Sequence, residues 1–343
     1  MKYSIGILLN DKHDEINNYV NENATIYHLT DWMILINKTF GHNGYYLYVT
    51  DEHGSICGVL PLIHMNSRLF GSFLVSIPYF NYGGIVADSI EIETMLLDKA
   101  IDLAKQLGVK HLELREGKTR EQIKHVRTDK VNMILNLPDN IAEFEKSLGS
   151  KLRSQIKRSM REGFEVSQGG IDRLDDFYKV FSENMRDLGT PVYSKTFFKE
   201  LLHTFPSQTS IIILKLSGVP VSAAFLLGGH KKLEIPWASS LRKYNKFSPN
   251  MLLYWSVLQF AINEEYKQFD FGRSTIDSGT YKFKKQWGAM PLQLYWNYWL
   301  SKGVSMPKLN PDNPKYKLAI NMWKKLPLVV ANFIGPTIVK NLP

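Results

Sequence analysis

The chain has 343 residues, 44% of them hydrophobic, which is enough to bury a large core and indicates two domains. Lysine and arginine outnumber aspartate and glutamate by 42 to 33, and the net charge of +9 favours anionic partners such as phosphates, nucleotide-linked sugars, tRNA or an anionic membrane surface. The single cysteine, Cys57, excludes an intramolecular disulfide and argues against a cysteine-based metal site.

The first part of the chain has the pattern of a mixed α/β domain. Its apolar start meets polar residues at once, which predicts a strand rather than a signal peptide. No stretch approaches the roughly 18 apolar residues of a membrane span, so we expect a cytoplasmic protein. The predicted elements are a strand within 1–10, a helix around 31–40, strands at 45–50 and 55–65, a helix over 89–107 with Asp88 as its N-cap, and a strand over 109–115.

The second part repeats this order. Each half has a helix, a short turn, an alternating strand and then an arginine, Arg115 or Arg273. The repetition indicates two copies of one α/β unit, at 1–137 and 138–300, and the absence of a G-x-G-x-x-G motif argues against a dinucleotide fold. The predicted elements are a helix over 172–188, strands at 210–216 and 219–227, a helix from Ser248-Pro249 to about 266, and a strand over Phe269–Phe271.

Residues 301–343 differ in composition. Prolines between 306 and 314 predict a linker, and Pro314 suits the first position of a helix that ends near Leu326, followed by a break at Gly335-Pro336. Basic and aromatic residues together suggest a helix at the inner membrane surface. A tail docked on the second domain is the alternative.

Residues 269–291 are the most informative segment. A buried strand runs into a glycine-containing loop, and the alternation from Tyr281 to Lys284 predicts an extended chain with aromatic rings on one face and Lys282 and Lys284 on the other. Lysines at a strand end suit an anion or a developing oxyanion. A strand with a solvated lysine face is the alternative.

Several enzyme classes lack their sequence signals. There is no G-x-S-x-G, H-E-x-x-H or Walker A motif, and the nine histidines are scattered without metal-ligand spacing. Direct acyl transfer to an amine fits better, because it needs no covalent intermediate and no metal. The protein then aligns two substrates and stabilises charge on the carbonyl oxygen.

Five motifs occur in one order, namely Leu60-Pro61-Leu62 and the segments 77–84, 188–193, 236–242 and 269–288. Together they closely resemble the FemAB family, in particular the FemAB-like proteins of exosortase (PEP-CTERM) and exopolysaccharide gene clusters. The resemblance implies an α/β (α+β) fold of two tandem GNAT-like domains, each a mixed sheet flanked by helices. It implies an acyl- or aminoacyltransferase that acts on an amine of an exopolysaccharide or peptidoglycan precursor. It also implies no permanently bound cofactor, with acyl-CoA or aminoacyl-tRNA as cosubstrate.

The resemblance places the catalytic cation in the run from Phe283 to Gly288. We therefore predict Lys284 as the first catalytic candidate and Lys282 as the second, with Arg273 in support. Ser274 and Tyr281 of the same segment are predicted to contact substrate.

Two further basic elements are candidates for anion binding. Arg153, Lys157 and Arg161 are spaced by four and form one helical stripe, which indicates either an anionic partner or a solvated face. The resemblance assigns Arg153 to the phosphorylated acceptor, whereas Lys157 depends on charge alone. Arg242 leads into the helix at Ser248, where a GNAT-like domain holds a coenzyme A pyrophosphate, but the usual glycine loop is absent, which argues against acetyl-CoA.

The first half also contains candidates for acceptor binding. Tyr79 and Asn81 lie in a turn with paired glycines that lets backbone approach a ligand, or that is simply packed by aromatic rings. The resemblance maps an acceptor-binding tyrosine and aspartate onto Tyr79 and Asp88, and a substrate-side tryptophan onto Trp32. Tyr193 is a further candidate.

Two questions stay open at this stage. No RNA-binding signature is present, and the chain between Leu188 and Tyr193 leaves no room for the coiled-coil arm that some FemAB enzymes use near tRNA. The alternative function is a non-catalytic protein that binds an anionic glycan or lipid carrier in a polysaccharide export system.

Overall fold

The computed structural model describes residues 2–9, 12–67, 71–307 and 314–342. The chain divides into two compact units, each with its own sheet. The first comprises Met1–Lys130, Gln293–Lys308 and Lys340–Pro343, and the second comprises Val131–Leu292 and Leu309–Val339.

The first unit is a mixed sheet flanked by helices. Its main strand order is β1-β2-β3-β4-β6-β15-β7, with β5 paired to β3, and the β4–β6 pair is parallel. The strands are β1 (Ser4–Ile7), β2 (Asn43–Thr50), β3 (Ile56–Ser67), β4 (Gly71–Val75), β5 (Val86–Ala87), β6 (His111–Glu116), β7 (His125–Arg127) and β15 (Tyr295–Leu300). The helices are α1 (His13–Asn23), α2 (Asp31–Phe40) and α3 (Ile90–Gln106), with a 3-10 turn at Ile26–His28.

Helix α3 covers the core of this unit. Leu96, Ala100 and Leu103 are buried at helical spacing, as the periodicity predicts. The N-cap is Ser89, whose Oγ accepts from the Ile92 N–H at 3.3 Å. The prediction of Asp88 as the cap was wrong, since Ser89 is one residue closer to the first turn.

The second unit has a sheet in the order β14-β8-β13-β12-β11-β10-β9, in which the β12–β13 pair is parallel. The strands are β8 (Val131–Asn136), β9 (Phe164–Gly169), β10 (Thr209–Leu216), β11 (Val219–Gly229), β12 (Lys232–Ser240), β13 (Gln268–Ser274) and β14 (Met290–Gln293). The helices are α4 (Ile141–Ser147), α5 (Ser150–Met160), α6 (Leu174–Leu188), α7 (Lys195–Thr204), α8 (Pro249–Asn263), α9 (Gly279–Lys285), α10 (Pro314–Trp323) and α11 (Leu328–Val339). Short 3-10 turns occupy Ile171–Arg173 and Arg242–Phe247.

The two sheets have the same plan. In each sheet the fourth strand pairs in parallel with a fifth, which follows a crossover helix, α3 or α8. The other edge of this fifth strand pairs with an antiparallel strand. This antiparallel strand is β15 in the first unit and β8 in the second. Each half of the sequence therefore contributes one strand to the sheet of the other half. The compact units therefore divide the chain differently from a cut at residues 137 and 300, because a sequence repeat locates contiguous segments and not exchanged strands.

The C-terminal helices pack on α6 within the second unit. Arg186 of α6 donates to the Leu326 carbonyl at 3.0 Å, and the Gly335 backbone lies against Val192. Helix α10 ends at Trp323 rather than near Leu326, and the predicted break at Gly335-Pro336 was wrong, since both residues lie inside α11. Most of the predicted linker falls on residues 308–313, outside the described residues. Among the helices that the structure describes, none is long and apolar enough to cross a bilayer.

The close approach at Gly335 yields a prediction. A Cβ there would lie 2.9 Å from the Val192 nitrogen, a backbone atom that cannot turn aside. We expect Gly335→Val to weaken α11 docking by about 1–3 kcal/mol and to speed tryptic cleavage at Lys324 and Lys325. Limited proteolysis measures this, with the exposed Thr337→Val as control. Equal cleavage rates for the wild type and both variants would contradict the docked arrangement.

Candidate active site

Residues 279–285 form a helix, α9, and not the extended chain that was predicted. Ser278 caps it, its Oγ accepting from the Tyr281 N–H at 3.2 Å. In a helix, Tyr281 and Lys284 are three residues apart and share a buried side, whereas Lys282 is exposed. The prediction that Lys282 and Lys284 share a face was therefore wrong, because an alternation of only four residues does not distinguish strand from helix.

Lys284 reaches the end of strand β13. The side chain is 8% exposed, and its Nζ donates to the carbonyls of Gly272 at 3.0 Å and Arg273 at 2.9 Å. A bulge orients these carbonyls: Gly272 has a φ of +74°, and the pairing of β13 with β8 shifts between Asp270 and Arg273. An ammonium has three N–H donors, and the described residues use two of them, which leaves one for a ligand.

The electrostatics of Lys284 follow from its burial. Desolvation lowers the pKa of the ammonium to about 8, the carboxylates of Asp270 and Glu234 oppose this, and the Arg273 guanidinium adds to it. The group is therefore charged at neutral pH yet close to titration. Such a cation can stabilise a developing oxyanion.

Asp270 supports this arrangement and was missed in the sequence. It is fully buried, with Oδ1 accepting from the Gly272 N–H at 2.8 Å and Oδ2 from Asn132 Nδ2 at 3.2 Å. Lys232 Nζ lies 3.6 Å from the same carboxylate. An aspartate between two buried phenylalanines was a usable signal, because a buried charge needs partners. No local pattern marks Asn132, which is 138 residues away.

The sheet opens beside this group. Strands β12 and β13 pair only over Lys232–Glu234 and Gln268–Asp270, although they continue to Ser240 and Ser274. Beyond these residues, β12 remains paired with β11, and β13 remains paired with β8. Ser274 lies at the far end, 3% exposed, and its Oγ has no hydrogen-bond partner among the described residues. The opening thus has backbone edges that can bind an extended substrate.

The other candidates in this unit lie on separate elements. Arg242 is exposed in the 3-10 turn that precedes α8. Tyr193 lies between α6 and α7, with its ring edge-on to Trp237 of β12 at 5.8 Å between centroids. Both residues thus lie on elements other than α9 and β13, which position Lys284.

Helix α5 presents a cluster of cations. Leu152 and Ile156 face the core, and the opposite side lines an open depression of about 510 Å³. One carboxylate, that of Glu145, lies 4.0 Å from the Lys157 Nζ. This excess of positive charge suits a phosphorylated ligand. The lining residues are Ser150, Arg153, Ser154, Lys157, Arg158 and Arg161.

The first unit contains the remaining candidates. Trp32 is fully buried, and its Nε1 donates to the Ile26 carbonyl at 2.8 Å, so the ring belongs to the core. The hydroxyl of Tyr79 donates to the Lys340 carbonyl at 2.9 Å, and Asn81 is 8% exposed. Asp88 is at the surface and accepts from the Tyr19 hydroxyl at 2.6 Å. The polar atoms of Trp32 and Tyr79 thus bond to the protein's own backbone, whereas the carboxylate of Asp88 faces solvent.

Buried Arg115 shapes the loop that carries Tyr79. Its Nη1 donates to the Phe80 carbonyl at 2.6 Å and its Nε to Glu113 at 2.7 Å. Ile77 and Tyr79 in this loop have φ values of +38° and +74°, a backbone conformation that residues other than glycine rarely adopt. The strain is retained because the buried ion pair fixes the loop. Across the described ranges, no group of three His, Cys, Asp or Glu side chains is arranged to hold a metal ion.

Comparison with protein families identifies one region. Residues 150–285 match the family model described as an acetyltransferase (GNAT) domain, and the match includes α5, β12, β13 and Lys284. A curated relative, the UDP-N-acetylmuramoylpentapeptide-lysine N(6)-alanyltransferase of Weissella viridescens, is 25% identical over 163 residues. The match covers 45% of this chain and 48% of that protein, so it spans about half the length of the relative.

Solved structures extend the likeness to most of the chain. The crystal structure of FemX superposes with a TM-score of 0.67 at 15% identity, over 92% of this chain and all of FemX. L-PGS from Bacillus licheniformis gives 0.59 at 11% identity, over 91% of this chain and 97% of that one. A tandem GNAT protein from the clavulanic acid biosynthesis pathway gives 0.51 at 9% identity, over 90% of this chain and all of that one.

These likenesses confirm the predicted fold class, a mixed α/β fold with GNAT-like neighbours that include tandem GNAT proteins. The chain is thus similar to a GNAT acetyltransferase domain over residues 150–285, and its fold is similar to that of FemX over most of its length. The narrower relation to exosortase and exopolysaccharide clusters stays a prediction.

Asp270→Asn tests the electrostatic account of Lys284. The change keeps the shape of the side chain but removes a charge that favours the ammonium, so we expect the pKa of Lys284 to fall below about 8. The ¹³Cε shift of Lys284 in lysine-labelled protein, assigned with Lys284→Met, measures this titration. An unchanged or higher pKa would show that Asp270 does not act on the ammonium.

Proposed function

We propose that the protein transfers an activated acyl or aminoacyl group to an amine on a cell-envelope precursor. The observation that carries this proposal is the buried Lys284 ammonium at the opening between β12 and β13, within the region that matches a GNAT domain. The proposed acceptor is of the peptidoglycan-precursor type, since the curated relative is named for an alanyl transfer to such a precursor. An exopolysaccharide precursor is the second acceptor class, and it depends on the resemblance alone.

The proposed reaction is a direct displacement. The acceptor amine attacks the carbonyl carbon, a C–N bond forms, and the C–O bond of an aminoacyl ester or the C–S bond of a thioester breaks. The amine loses a proton, and the leaving alkoxide or thiolate gains one. The third N–H of Lys284 donates to the carbonyl oxygen as its charge grows, and because the bulge fixes Nζ beforehand, no reorganisation is needed at that moment.

The basic face of α5 supports an acceptor that carries phosphate. Arg153, Lys157, Arg158 and Arg161 line one depression, and guanidinium groups bind phosphate oxygens in pairs. The diphosphate of a UDP-linked precursor has the charge that this surface needs. We assign Arg153 and Lys157 to it, and keep Asp88 as the acceptor-binding candidate of the first unit.

Two donors are consistent with the site. The GNAT domain favours an acyl-CoA, whose pyrophosphate would meet the start of α8 near Arg242. The resemblance to the FemAB family favours an aminoacyl-tRNA, and the net charge of +9 suits that polyanion. The cytoplasmic location predicted from the sequence provides either donor.

Transfer assays with both donor classes and a UDP-linked pentapeptide test the proposal. We expect Lys284→Ala to lower kcat by roughly 10²–10³, the usual cost of losing an oxyanion donor, with little change in KM. Lys285→Ala, which removes the exposed neighbouring lysine, is the matched control. Full activity in Lys284→Ala would refute the role of Lys284. Binding of the precursor without transfer from any donor would favour the glycan- or carrier-binding alternative.

The pH profile tests the charge state that the mechanism needs. The ammonium, with its pKa lowered to about 8, is the active form, so kcat should fall as pH rises through 8. In Lys284→Arg the cation persists to much higher pH, and whatever activity remains should not show this fall. A rate that instead increases through pH 8 would mean that Lys284 acts as a neutral base, contrary to the proposed mechanism.

A further inference from the structure

The outer side of the two C-terminal helices carries large apolar side chains in solvent. Val329 and Phe333 are 80% and 82% exposed, and Leu318 and Met322 are each 63% exposed. Isolated exposed apolar residues are ordinary, but a contiguous apolar patch marks an interaction site. We call this set the C-terminal apolar face; its members are Leu318, Met322, Val329, Val330 and Phe333.

Docking on α6 fixes which sides of the helices face outward. Ala331, Gly335 and Val339 are spaced by four and buried, so the opposite side of α11 holds Val329 and Phe333. On α10, Ile320 packs against Gly189 at the end of α6, which directs Leu318 and Met322 to the other side. Because both helices pack on α6, both apolar sides point away from it.

The charges of the C-terminal segment itself all have one sign. Residues 314–343 include five lysines and no aspartate or glutamate. Lys324 and Lys325 are exposed in the turn between α10 and α11, next to the apolar side chains. Exposed apolar residues on a segment whose own charges are all positive complement an anionic lipid surface, which offers acyl chains below a layer of negative head groups.

We propose that the C-terminal apolar face binds the surface of an anionic membrane, with α10 and α11 lying in the interfacial plane. The 12 residues of α11 are too few for the roughly 20 that a spanning helix needs, so the contact is peripheral. A second copy of the chain is a poorer occupant, because it would bring the same lysines against Lys324 and Lys325. This inference depends on the tail alone and is independent of the proposed transferase activity.

Vesicle sedimentation of the full chain tests the proposal. We expect binding to vesicles of phosphatidylcholine mixed with phosphatidylglycerol, weaker binding at high salt, and little binding to phosphatidylcholine alone. Lys324→Gln and Lys325→Gln should each weaken binding about fivefold, the share of one lysine near an anionic surface. Val329→Glu with Phe333→Glu should weaken it by roughly tenfold or more.

The control is Ile34→Glu with Ile90→Glu, which places the same two charges at residues of the first unit that are 61% and 78% exposed. It should bind vesicles like the wild type, and circular dichroism should show all variants folded. Absence of wild-type binding to anionic vesicles, or equal binding by the Val329→Glu/Phe333→Glu protein, would overturn the proposal. A concentration-dependent dimer that Phe333→Glu abolishes would instead identify a second copy as the occupant.

Discussion

A lysine held by two backbone carbonyls is the interaction on which the functional interpretation depends. A buried ammonium is costly to desolvate, and Lys284 is kept as a cation by the carbonyls of Gly272 and Arg273 and by nearby carboxylates. Since carbonyls carry only partial charge, they hold the ammonium without neutralising it. A fully paired lysine would have no charge left for a substrate, and an exposed one would be screened by water.

The repeated plan of the two units makes this contrast clear. In the first unit, the end of β6 corresponds to the end of β13, but its charges are closed into ion pairs. Glu116 accepts from the Arg120 Nε and Nη2, each at 2.6 Å, and Glu113 accepts from Arg115 and from the Tyr298 hydroxyl at 2.7 and 2.8 Å. At the end of β6 the charged groups are therefore paired in salt bridges, whereas at the end of β13 an ammonium is held with one N–H donor unused by the described residues.

The sequence predicted the parts of the fold that local patterns encode. The helix over 31–40, the crossover helices before β6 and β13, and the strands β1, β2, β3, β6, β10, β11 and β13 all depend on periodicity and on caps or glycine stops, which a single sequence displays. Strand exchange was not predictable, because pairing of β8 with β13 and of β15 with β6 is decided by contacts between distant segments. For the same reason Asn132, which lies in β8, gave no sign that it would bind Asp270.

For the candidate site, the sequence located the segment but not its conformation. Lys284 was singled out by resemblance and by the run of aromatic residues and lysines, yet helix α9 rather than a strand brings it to the bulge at Gly272. The most direct test of the central claim is a crystal structure with a bisubstrate analogue whose tetrahedral centre mimics the transfer. The account predicts the analogue's oxyanion within about 3 Å of the Lys284 Nζ, which would keep its two carbonyl partners. An oxyanion bound by other groups, with Lys284 contacting only Gly272 and Arg273, would contradict it.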